Sequence, residues 1–529
     1  MAVTIATKGR ILWVDDEIEL LRSHILMLAD KGYYVETATN GEDAVAMVGK
    51  HVYDLVFLDE MMAGMGGLKT LSLIKDLRPN LPVIMVTKNE DEGVMEEAIG
   101  VKISDYLTKP VNPSQILLAC KKFLEGKKLA GQQVSRDYIK EFNEISMKLQ
   151  NQPGAKEWID IYLSLVGQSL DMDEHPELGL RQTLSDQIRE CNVEFSKFIE
   201  RNYRRWVDPK QASQPNRPLL SVDVVDTYLI PELKTDRSVF FFVIDCLRAD
   251  QWMEMRSVLS EYFDISQDFY YSILPTATPY SRNAIFSGAY PDEIEVRFPE
   301  IWEEWEDDDN SRNRYEHQFL DNLLERRKIK VKPDSKYVKI LDPEFGKTIE
   351  QNIQSYANNK LTAIVVNFVD MLAHGRSDSQ LLKEIAPDEA AYRSLTRSWF
   401  MHSSLLGMLR TLSRMKNITV ILTTDHGSIR CLRNTKVIAD REASPNLRYK
   451  YGRNLKADER HAIFIKNPTE FRLPKRSVTI NYLVSKEDYY FVYPTDFHKY
   501  ANQYRDSFQH GGISMEEMIL PVARMRPKG

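Results

Sequence analysis

Short β-rich runs alternate with longer amphipathic stretches five times in the first 126 residues, and this alternation constrains the fold more than any other feature. The runs are Ile11–Val14, Tyr33–Thr37, Leu55–Leu58, Val83–Thr87 and Ile103–Leu107. Strands that alternate with helices form βαβ units, which build a parallel sheet covered by helices on both faces. We therefore expect residues 1–126 to form a small doubly wound α/β domain. Its last helix should begin at Asn112, with Pro113 in the first turn.

The middle of the chain, residues 127–207, loses the strand signal. Its apolar residues recur at helical spacing, with breaks only at Pro153-Gly154 and His175-Pro176. This pattern predicts an all-α bundle of three or four helices. Residues 208–218 are polar and proline-rich, so we expect a linker there.

An α/β pattern returns in a larger third domain, residues 219–529. Three runs in it are almost purely apolar: Val239–Ile244, Ala363–Val369 and Ile418–Leu422. Such runs are typical of central strands buried on both faces, and they predict a central, mostly parallel sheet. The acidic run Glu303–Asp309 is expected to be a solvated loop or helix face.

Composition excludes several classes of protein. Residues are 43% hydrophobic and 28% charged, which argues against a disordered or collagen-like chain. The net charge of −7 argues against a broad nucleic-acid-coating surface. No apolar run reaches the ~18 residues that span a bilayer, and acidic residues directly after the first apolar stretch argue against a signal peptide. Four scattered cysteines fit free thiols, so we expect a soluble cytoplasmic protein.

Acidic residues, one threonine and one lysine follow the strands of the first domain. They are Asp15, Asp16, Asp59, Thr87 and Lys109. Ligand sites in open α/β sheets lie at this edge, so these five side chains should converge. Three gathered carboxylates repel one another unless a divalent cation neutralises them, and an all-oxygen cluster suits Mg²⁺. Lysine and threonine supply a point charge and a hydroxyl for a phosphoryl group.

The segments ILWVDDE, DLVFLDEMMAG, PVIMVTK and ISDYLTKPVNP resemble a response-regulator receiver domain, which has a flavodoxin-like fold. The resemblance implies that Asp59 is the phosphoacceptor and that Asp16, Asp59 and a backbone carbonyl bind Mg²⁺ in an acidic pocket with Asp15. It also implies that Thr87 and Tyr106 are the switch pair and that Lys109 contacts the phosphoryl group. Ala63 departs from the family, which usually has proline there, and this affects the stiffness of a loop.

A second set of ligand-type side chains follows the apolar runs of the last domain. The set consists of Asp245, Asp370, His374, Asp425, His426 and His510. His374 lies one helical turn after Asp370, so a helix would place both on one face. Three aspartates and three histidines at one sheet edge suit Zn²⁺ or Mn²⁺, with two metals favoured over one. A bimetallic site is suited to displacement at phosphorus.

The segment ILPTATPYSRNAIFSGAYP offers a nucleophile for this site. Thr278 stands at a turn before a small-residue helix, and Arg282 or Asn283 one turn later could contact a bound phosphate. Thr276 is the weaker alternative, because the repeat in PTAT allows a displacement of two residues.

The segments VIDCLRADQW, PTATPYSRNAIFSG, FVDMLAH, TTDHG and HGGISMEEMILP resemble the PglZ group of the alkaline phosphatase superfamily, over about residues 220–529. The resemblance implies that Thr278 is both nucleophile and metal ligand. It implies one zinc site with Asp245, Asp425 and His426, and a second with Asp370, His374 and His510. Cys246 and Cys431 are expected to be core thiols.

The three regions in this order resemble the response regulators that control type IX secretion. That resemblance implies a histidine kinase as phosphodonor, a sigma factor and a secretion-system component as partners, and phosphodiesterase activity on cyclic or linear oligonucleotides. It also implies a homodimer on phosphorylation.

Two alternatives remain open. A non-enzymatic signalling adaptor would use the last domain as a scaffold, although a scaffold has no physical need for a full ligand set. A DNA-binding transcription factor is disfavoured, because RNYRRW (Arg201–Trp206) is short and matches a solvated helix end better than a recognition helix.

Overall fold

A computed structural model describes residues 8–88, 103–211, 217–300, 314–440, 443–475 and 479–528. The acidic run Glu303–Asp309, residues 212–216 of the predicted linker and the helix expected after the fourth strand lie outside the described residues. By its internal contacts the chain divides into two compact units, Met1–Lys140 and Glu141–Gly529.

The first unit has the five-stranded parallel sheet that the alternation predicts. The strands are β1 Arg10–Val14, β2 Tyr34–Ala38, β3 Leu55–Asp59, β4 Val83–Thr87 and β5 Asp105–Thr108. Their order is β2-β1-β3-β4-β5, so the order reverses at β1, and β3 lies beside it. The described helices are Arg22–Asp30, Gly41–Lys50, Gly67–Leu77 and Pro113–Cys120. Asn112 caps the last of these by accepting from the Ser114 N–H at 2.9 Å, as predicted.

The helical middle of the chain is confirmed. It contains the long helices Gly126–Gln150, Ala155–Glu174 and Arg181–Val207. The last two pack against the α/β part of the second unit: Tyr271 Oη donates to the Ala155 carbonyl at 2.7 Å, and the Leu274 N–H donates to Tyr203 Oη at 2.8 Å. The basic patch at the end of this region lies on a helix end, where Arg204 pairs with Glu470.

The α/β part of the second unit is built from fourteen described strands. They are β6 Ser238–Ile244, β7 Phe263–Tyr271, β8 Lys336–Ile340, β9 Leu361–Val366, β10 Ile418–Thr423, β11 Ile429–Cys431, β12 Arg433–Ile438, β13 Tyr449–Gly452, β14 Lys456–Ala457, β15 Ala462–Ile465, β16 Asn481–Ser485, β17 Tyr489–Val492, β18 Ser507–Gln509 and β19 Ile519–Pro527. Six form the central sheet in the order β7-β19-β10-β6-β9-β8. The strands from β10 to β8 are parallel, whereas β19 runs antiparallel to both its neighbours.

Helices cover both faces of this sheet and bury two apolar clusters against it. The described helices are Ile230–Leu233, Ala249–Leu259, Thr278–Ser287, Pro291–Arg297, Glu316–Arg326, Pro343–Tyr356, Phe368–Asp378, Gln380–Ile385, Glu389–His402, Ser404–Ser413, Phe497–Tyr504 and Met515–Met518. Strands β11–β18 form three small sheets beside the central one.

One predicted strand is too long. The apolar run Ala363–Val369 leaves the sheet at Val366, and a helix begins at Phe368. Val369 is fully buried in that helix, so the run stays apolar because its helical part also packs in the core. Asp370 therefore lies in the first turn of a helix rather than directly after a strand.

No helix in the described part of the chain is both long and apolar enough to cross a membrane. The four cysteines are free and buried, as predicted, and Cys246 and Cys431 are fully buried.

Candidate functional site

The predicted acidic pocket of the first unit is present at the carboxyl ends of β1 and β3. Carboxylate oxygens of Asp15, Asp16 and Asp59 lie within 4.8 Å of one another. Lys109 reaches into the group, with its Nζ 2.8 Å from Asp15 Oδ2 and 3.0 Å from Asp59 Oδ2. This arrangement could hold Mg²⁺ through oxygen ligands.

Burial decides the charge balance of this pocket. It raises the pKa of Asp59, and the Asp15 and Asp16 carboxylates raise it further, while Lys109 opposes the shift. Burial alone would lower the pKa of Lys109, but its hydrogen bonds to Asp15 and Asp59 outweigh burial and raise that pKa. The lysine is therefore held as a cation beside the carboxylate that would accept a phosphoryl group.

The two predicted switch residues, Thr87 and Tyr106, differ in their burial. The Thr87 hydroxyl, buried at the end of β4, donates a hydrogen bond to the Glu60 carboxylate. Tyr106 is 47% exposed on β5. Glu60 is not among the predicted site residues, and its position directly after Asp59 is the only signal for it in the sequence.

The second unit brings all six predicted metal-ligating side chains into two adjacent clusters. The first consists of Asp245, Asp425 and His426. Within it, His426 Nε2 lies 3.6 Å from Asp245 Oδ1 and 3.7 Å from Asp425 Oδ2. The fold places the two aspartates together because β6 and β10 are neighbouring parallel strands that end at the same edge.

The second cluster consists of Asp370, His374 and His510. His374 Nε2 is 3.4 Å and His510 Nε2 is 3.5 Å from Asp370 Oδ1, which confirms the helical spacing between Asp370 and His374. The rings of His426 and His510 stack with their centroids 4.2 Å apart, so the two clusters adjoin.

The glycines beside the histidines allow this close packing. A Cβ on Gly427 would come within 2.0 Å of the Glu516 carbonyl oxygen. Gly511 has φ +115°, and a Cβ there would also lie 2.5 Å from the Tyr449 ring. The DHG and HGG segments therefore need glycine for steric reasons.

The protonation states of the two histidines favour a metal. Burial lowers the pKa of His426 and lowers that of His510 further, which keeps both rings neutral, the form that binds metals. Burial raises the pKa of Asp245 to about 7 and also raises that of Asp425. Asp425 Oδ2 is buried and has no hydrogen-bond partner within the described residues. A buried carboxylate oxygen without a donor fits a cation ligand, and the mixed Asp/His set suits Zn²⁺ or Mn²⁺.

The two candidate threonines occupy different environments. Thr278 begins the helix Thr278–Ser287, and its Oγ1 lies 2.9 Å from His426 Nε2 and 3.4 Å from Asp245 Oδ1. The Thr276 hydroxyl donates to the Gly512 carbonyl at 2.7 Å and accepts from the Gly511 N–H at 3.1 Å. Thr276 thus ties down the loop that carries His510, whereas Thr278 faces the ligands.

Arg282, predicted to contact a substrate phosphate, is fully buried among carboxylates. Its Nη1 is 2.8 Å from Asp245 Oδ2, and its Nε is 3.3 Å from Glu316 Oε1 and 3.9 Å from Asp425 Oδ2. The Asn283 amide donates to the Pro279 carbonyl of its own helix at 3.0 Å. A phosphate contact by either residue stays a prediction. Glu316 belongs to none of the sequence motifs and is not among the predicted site residues.

Three family models match successive parts of the chain. The response regulator receiver domain matches residues 11–121, the PorX response regulator linker domain residues 128–207, and the BREX system PglZ alkaline phosphatase-like domain residues 224–525. The last match covers more than half of the chain, so the chain belongs to the PglZ family and is a two-component response regulator with an alkaline phosphatase-like domain. The three domains in this order are those of a PorX-type response regulator.

Two curated relatives each match about a quarter of the chain or less. The chain is 37% identical over 129 residues to the alginate biosynthesis transcriptional regulatory protein AlgB of Pseudomonas aeruginosa, which is 24% of this chain and 29% of that protein. It is 32% identical over 115 residues to the transcriptional regulatory protein ResD of Bacillus subtilis, which is 22% of this chain and 48% of ResD. The matches thus span less than half of these relatives. A solved CheY-like receiver domain protein from Methanospirillum hungatei is 31% identical, covers 22% of this chain and 94% of its own, and has a TM-score of 0.22.

Proposed function

We propose that this chain is a response regulator, phosphorylated on Asp59, whose last domain is a zinc-dependent phosphodiesterase with Thr278 as its nucleophile. The observation that carries the proposal is the position of Thr278 Oγ1, 2.9 Å from His426 Nε2 at the junction of the two ligand clusters. A hydroxyl at that place can reach a phosphorus atom held by the clusters.

The residues present fit two zinc ions. Asp245, Asp425 and His426, with Thr278, would hold one, and Asp370, His374 and His510 the other. When bound, the metals would supply positive charge for the attacking and leaving oxygens of an ester.

The chain's own residues supply the remaining requirements. Thr278 Oγ1 is the oxygen that would bond to phosphorus as the ester oxygen departs with the threonine proton as an alcohol. Water would then cleave the new Oγ1–phosphorus bond, which releases the phosphate product and restores the threonine hydroxyl. Arg282 pairs with the Asp245 carboxylate of the ligand cluster and with Glu316. Burial of Asp245, Asp425 and His426 excludes bulk water from these side chains, which strengthens electrostatic interactions with a developing oxyanion beside them.

Regulation is assigned to the first unit. A receiver domain implies a histidine kinase partner. Asp59 would take the phosphoryl group, and Asp16, Asp59 and a backbone carbonyl would hold Mg²⁺ in the acidic pocket with Asp15. Lys109 already contacts the Asp59 carboxylate at 3.0 Å. Thr87 and Tyr106 would act as the switch pair.

Cyclic or linear oligonucleotides are the proposed substrates, and control of type IX secretion through a sigma factor and a secretion-system component is the proposed output. Both rest on the PorX-type domain order. The ligand clusters support hydrolysis of a phosphoester and do not distinguish among esters.

Metal analysis of the purified protein, combined with hydrolysis assays on mononucleotide, linear and cyclic dinucleotide substrates, tests this proposal. We expect about two zinc ions per chain and cleavage of a diester, with both reduced in His510→Ala. His402→Ala, which removes an exposed histidine on the helix Glu389–His402, is the matched control and should retain both. Wild-type protein without bound metal or hydrolysis would support the adaptor alternative instead.

A further inference from the structure

The second unit contains an open cavity of about 350 Å³ that none of the predicted ligand or nucleophile residues lines. One wall is formed by the helices Ala155–Glu174 and Arg181–Val207. The opposite wall includes Arg248, Ile429 and Glu516. The volume falls within the ~300–1,000 Å³ typical of small-molecule pockets, which often lie between packed structural layers.

The interior of this cavity is mainly apolar. Leu165, Val166, Leu184 and Met515 line it. Tyr162 is 4% exposed and also lines it, and its hydroxyl has no hydrogen-bond partner within the described residues. A buried hydroxyl without a partner is destabilising, so a bound molecule that supplies one would be favoured.

The charges at the cavity are unevenly paired. Every acidic side chain that lines it forms an ion pair or accepts a hydrogen bond within 3.0 Å: Asp173, Asp250, Asp388, Glu389, Glu487, Asp488 and Glu516. Arg181 and Arg189 are about half exposed, and their nearest carboxylate oxygens, those of Asp173 and Asp186, are 3.6 Å away. Arg181 also lies 4.0 Å from the Asp388 carboxylate and donates a long hydrogen bond, 3.5 Å, to the Met172 carbonyl. Five of the acidic groups therefore pair closely with arginines other than Arg181 and Arg189, and Asp388 and Glu516 accept hydrogen bonds from neutral N–H groups. The guanidinium groups of Arg181 and Arg189 have only long contacts.

The same two arginines lie on one helix at the cavity mouth. Arg181 is the first residue of the helix Arg181–Val207, which begins without a side-chain cap. The positive end of the helix dipole thus adds to the charge of the arginines. Arg189 follows eight residues later, with Leu184 and Ser185 between them on the lining face.

We propose that this cavity binds a small amphipathic anion. Its apolar body packs against Leu165, Val166, Leu184 and Met515, and its anionic group pairs with Arg181 and Arg189. A nucleoside monophosphate and a medium-chain fatty acid share this chemistry.

The cavity is lined by residues from the chain segments that follow three of the metal-ligating side chains. Arg248, Ile429 and Glu516 lie three, three and six residues after Asp245, His426 and His510. An occupant would contact the helical middle of the chain and the segments that follow three metal-ligating side chains. Binding there can therefore change how firmly those segments are held.

Fluorescence titration of the full chain with 1-anilinonaphthalene-8-sulfonate, an aromatic anion of this class, tests the proposal. We expect saturable binding of one molecule per chain. The double variant Arg181→Ala/Arg189→Ala should weaken it at least tenfold, because both exposed guanidinium groups are lost. Arg201→Ala/Arg205→Ala removes two exposed arginines from the same helix away from the cavity and should leave the affinity unchanged.

Competition identifies the source of the ligand. Displacement of the dye by adenosine 5′-monophosphate alone supports a nucleotide, displacement by decanoate alone supports a fatty acid, and displacement by both supports the shared chemistry. The proposal is overturned if the dye does not saturate, if neither compound displaces it, or if the two double variants lose affinity equally. No readout depends on hydrolysis, so these outcomes are independent of the proposed phosphodiesterase.

Discussion

The hydroxyl of Thr278 is the smallest feature on which the proposed chemistry depends. Thr278→Val keeps the side chain's shape and β-branching but deletes the oxygen near His426 and Asp245. We expect diester cleavage to fall by roughly 10³-fold or more while the Asp370, His374 and His510 cluster keeps its metal. Steady-state kinetics and metal analysis of the purified variant measure both effects.

Thr276→Val is the matched control for this variant. It also removes a threonine hydroxyl, but one that bonds to the Gly511-Gly512 backbone, so its effect on cleavage should be much smaller. A greater loss in Thr276→Val than in Thr278→Val would reverse the assignment of the nucleophile. If neither variant loses activity, a metal-bound hydroxide would be the better nucleophile.

Glu516 should make the stability of the second unit depend on pH. Burial raises the pKa of its carboxyl to about 7, although the Asn192 amide donates to it at 3.0 Å. Because the folded-state pKa lies above the unfolded value, the stabilisation is present below the unfolded pKa and is lost as pH rises through about 7. We expect unfolding free energy to fall by about 1–2 kcal/mol between pH 5 and pH 8 from this group.

Urea unfolding at those two pH values, followed by circular dichroism, measures the effect. Glu516→Gln, which resembles the protonated acid, should reduce the loss of stability at pH 8. Glu190→Gln changes an exposed glutamate on the helix that carries Asn192 and should leave the pH dependence as in wild type. An unchanged pH dependence in Glu516→Gln would show that this carboxyl does not titrate in the range.

At the scale of secondary structure, the metal clusters lie at the rim of a sheet whose core does not include them. Strands β6, β9 and β10 are buried along almost their whole length by apolar contacts. Asp425→Ala or His510→Ala should therefore lower zinc content and hydrolysis but leave helicity close to wild type. Far-ultraviolet circular dichroism and metal analysis check this expectation.

Asp264→Ala, at an exposed aspartate on β7, is a suitable control for the first variant and should keep its zinc. Full metal occupancy in Asp425→Ala would mean that the ligand set is wrong. Loss of helicity in both ligand variants would show that folding of the domain requires the metal.

The same elements show how far the sequence could predict the structure. Apolar runs such as Val239–Ile244 predict strands well, because a parallel strand buried on both faces leaves no room for polar residues. The run Ala363–Val369 does not show where its strand ends, because the buried helical turn that follows the strand is equally apolar. Periodicity also found the long helices of the middle region, but it carries no information about which surface they pack on.

The residues of the candidate site also differ in how well the sequence predicts them. Residues in motifs, such as Asp425-His426 and His510, were found because their chemistry follows strand ends or glycine-rich loops. Glu60 and Glu316 were missed, because each acts on a motif residue through space and only the fold shows the contact. The Arg282–Glu316 pair joins residues 34 positions apart, and no local pattern records such a pair.

For the whole molecule, phosphorylation of Asp59 should change self-association. Added negative charge at the end of β3 competes for Lys109 and for the Thr87 hydroxyl, which now donates to Glu60. Movement of Thr87 toward the phosphoryl group frees space for Tyr106, which is 47% exposed in this structure. Receiver domains commonly dimerise through the face that carries this tyrosine, so we expect a dimer in the phosphorylated state and weaker association without it.

Sedimentation velocity of the full chain with and without beryllofluoride and Mg²⁺ measures this change. Wild type should shift from mostly monomer to dimer at the same protein concentration. Asp59→Asn, which cannot accept the phosphoryl group or its mimic, should stay monomeric under both conditions. Asp76→Asn, at an exposed aspartate on the helix Gly67–Leu77, should behave as wild type. Modification of Asp59 is verified by mass spectrometry in a phosphorylated sample. If wild type then sediments identically in both states, phosphorylation does not control dimer formation. Regulation would then have to act within one chain.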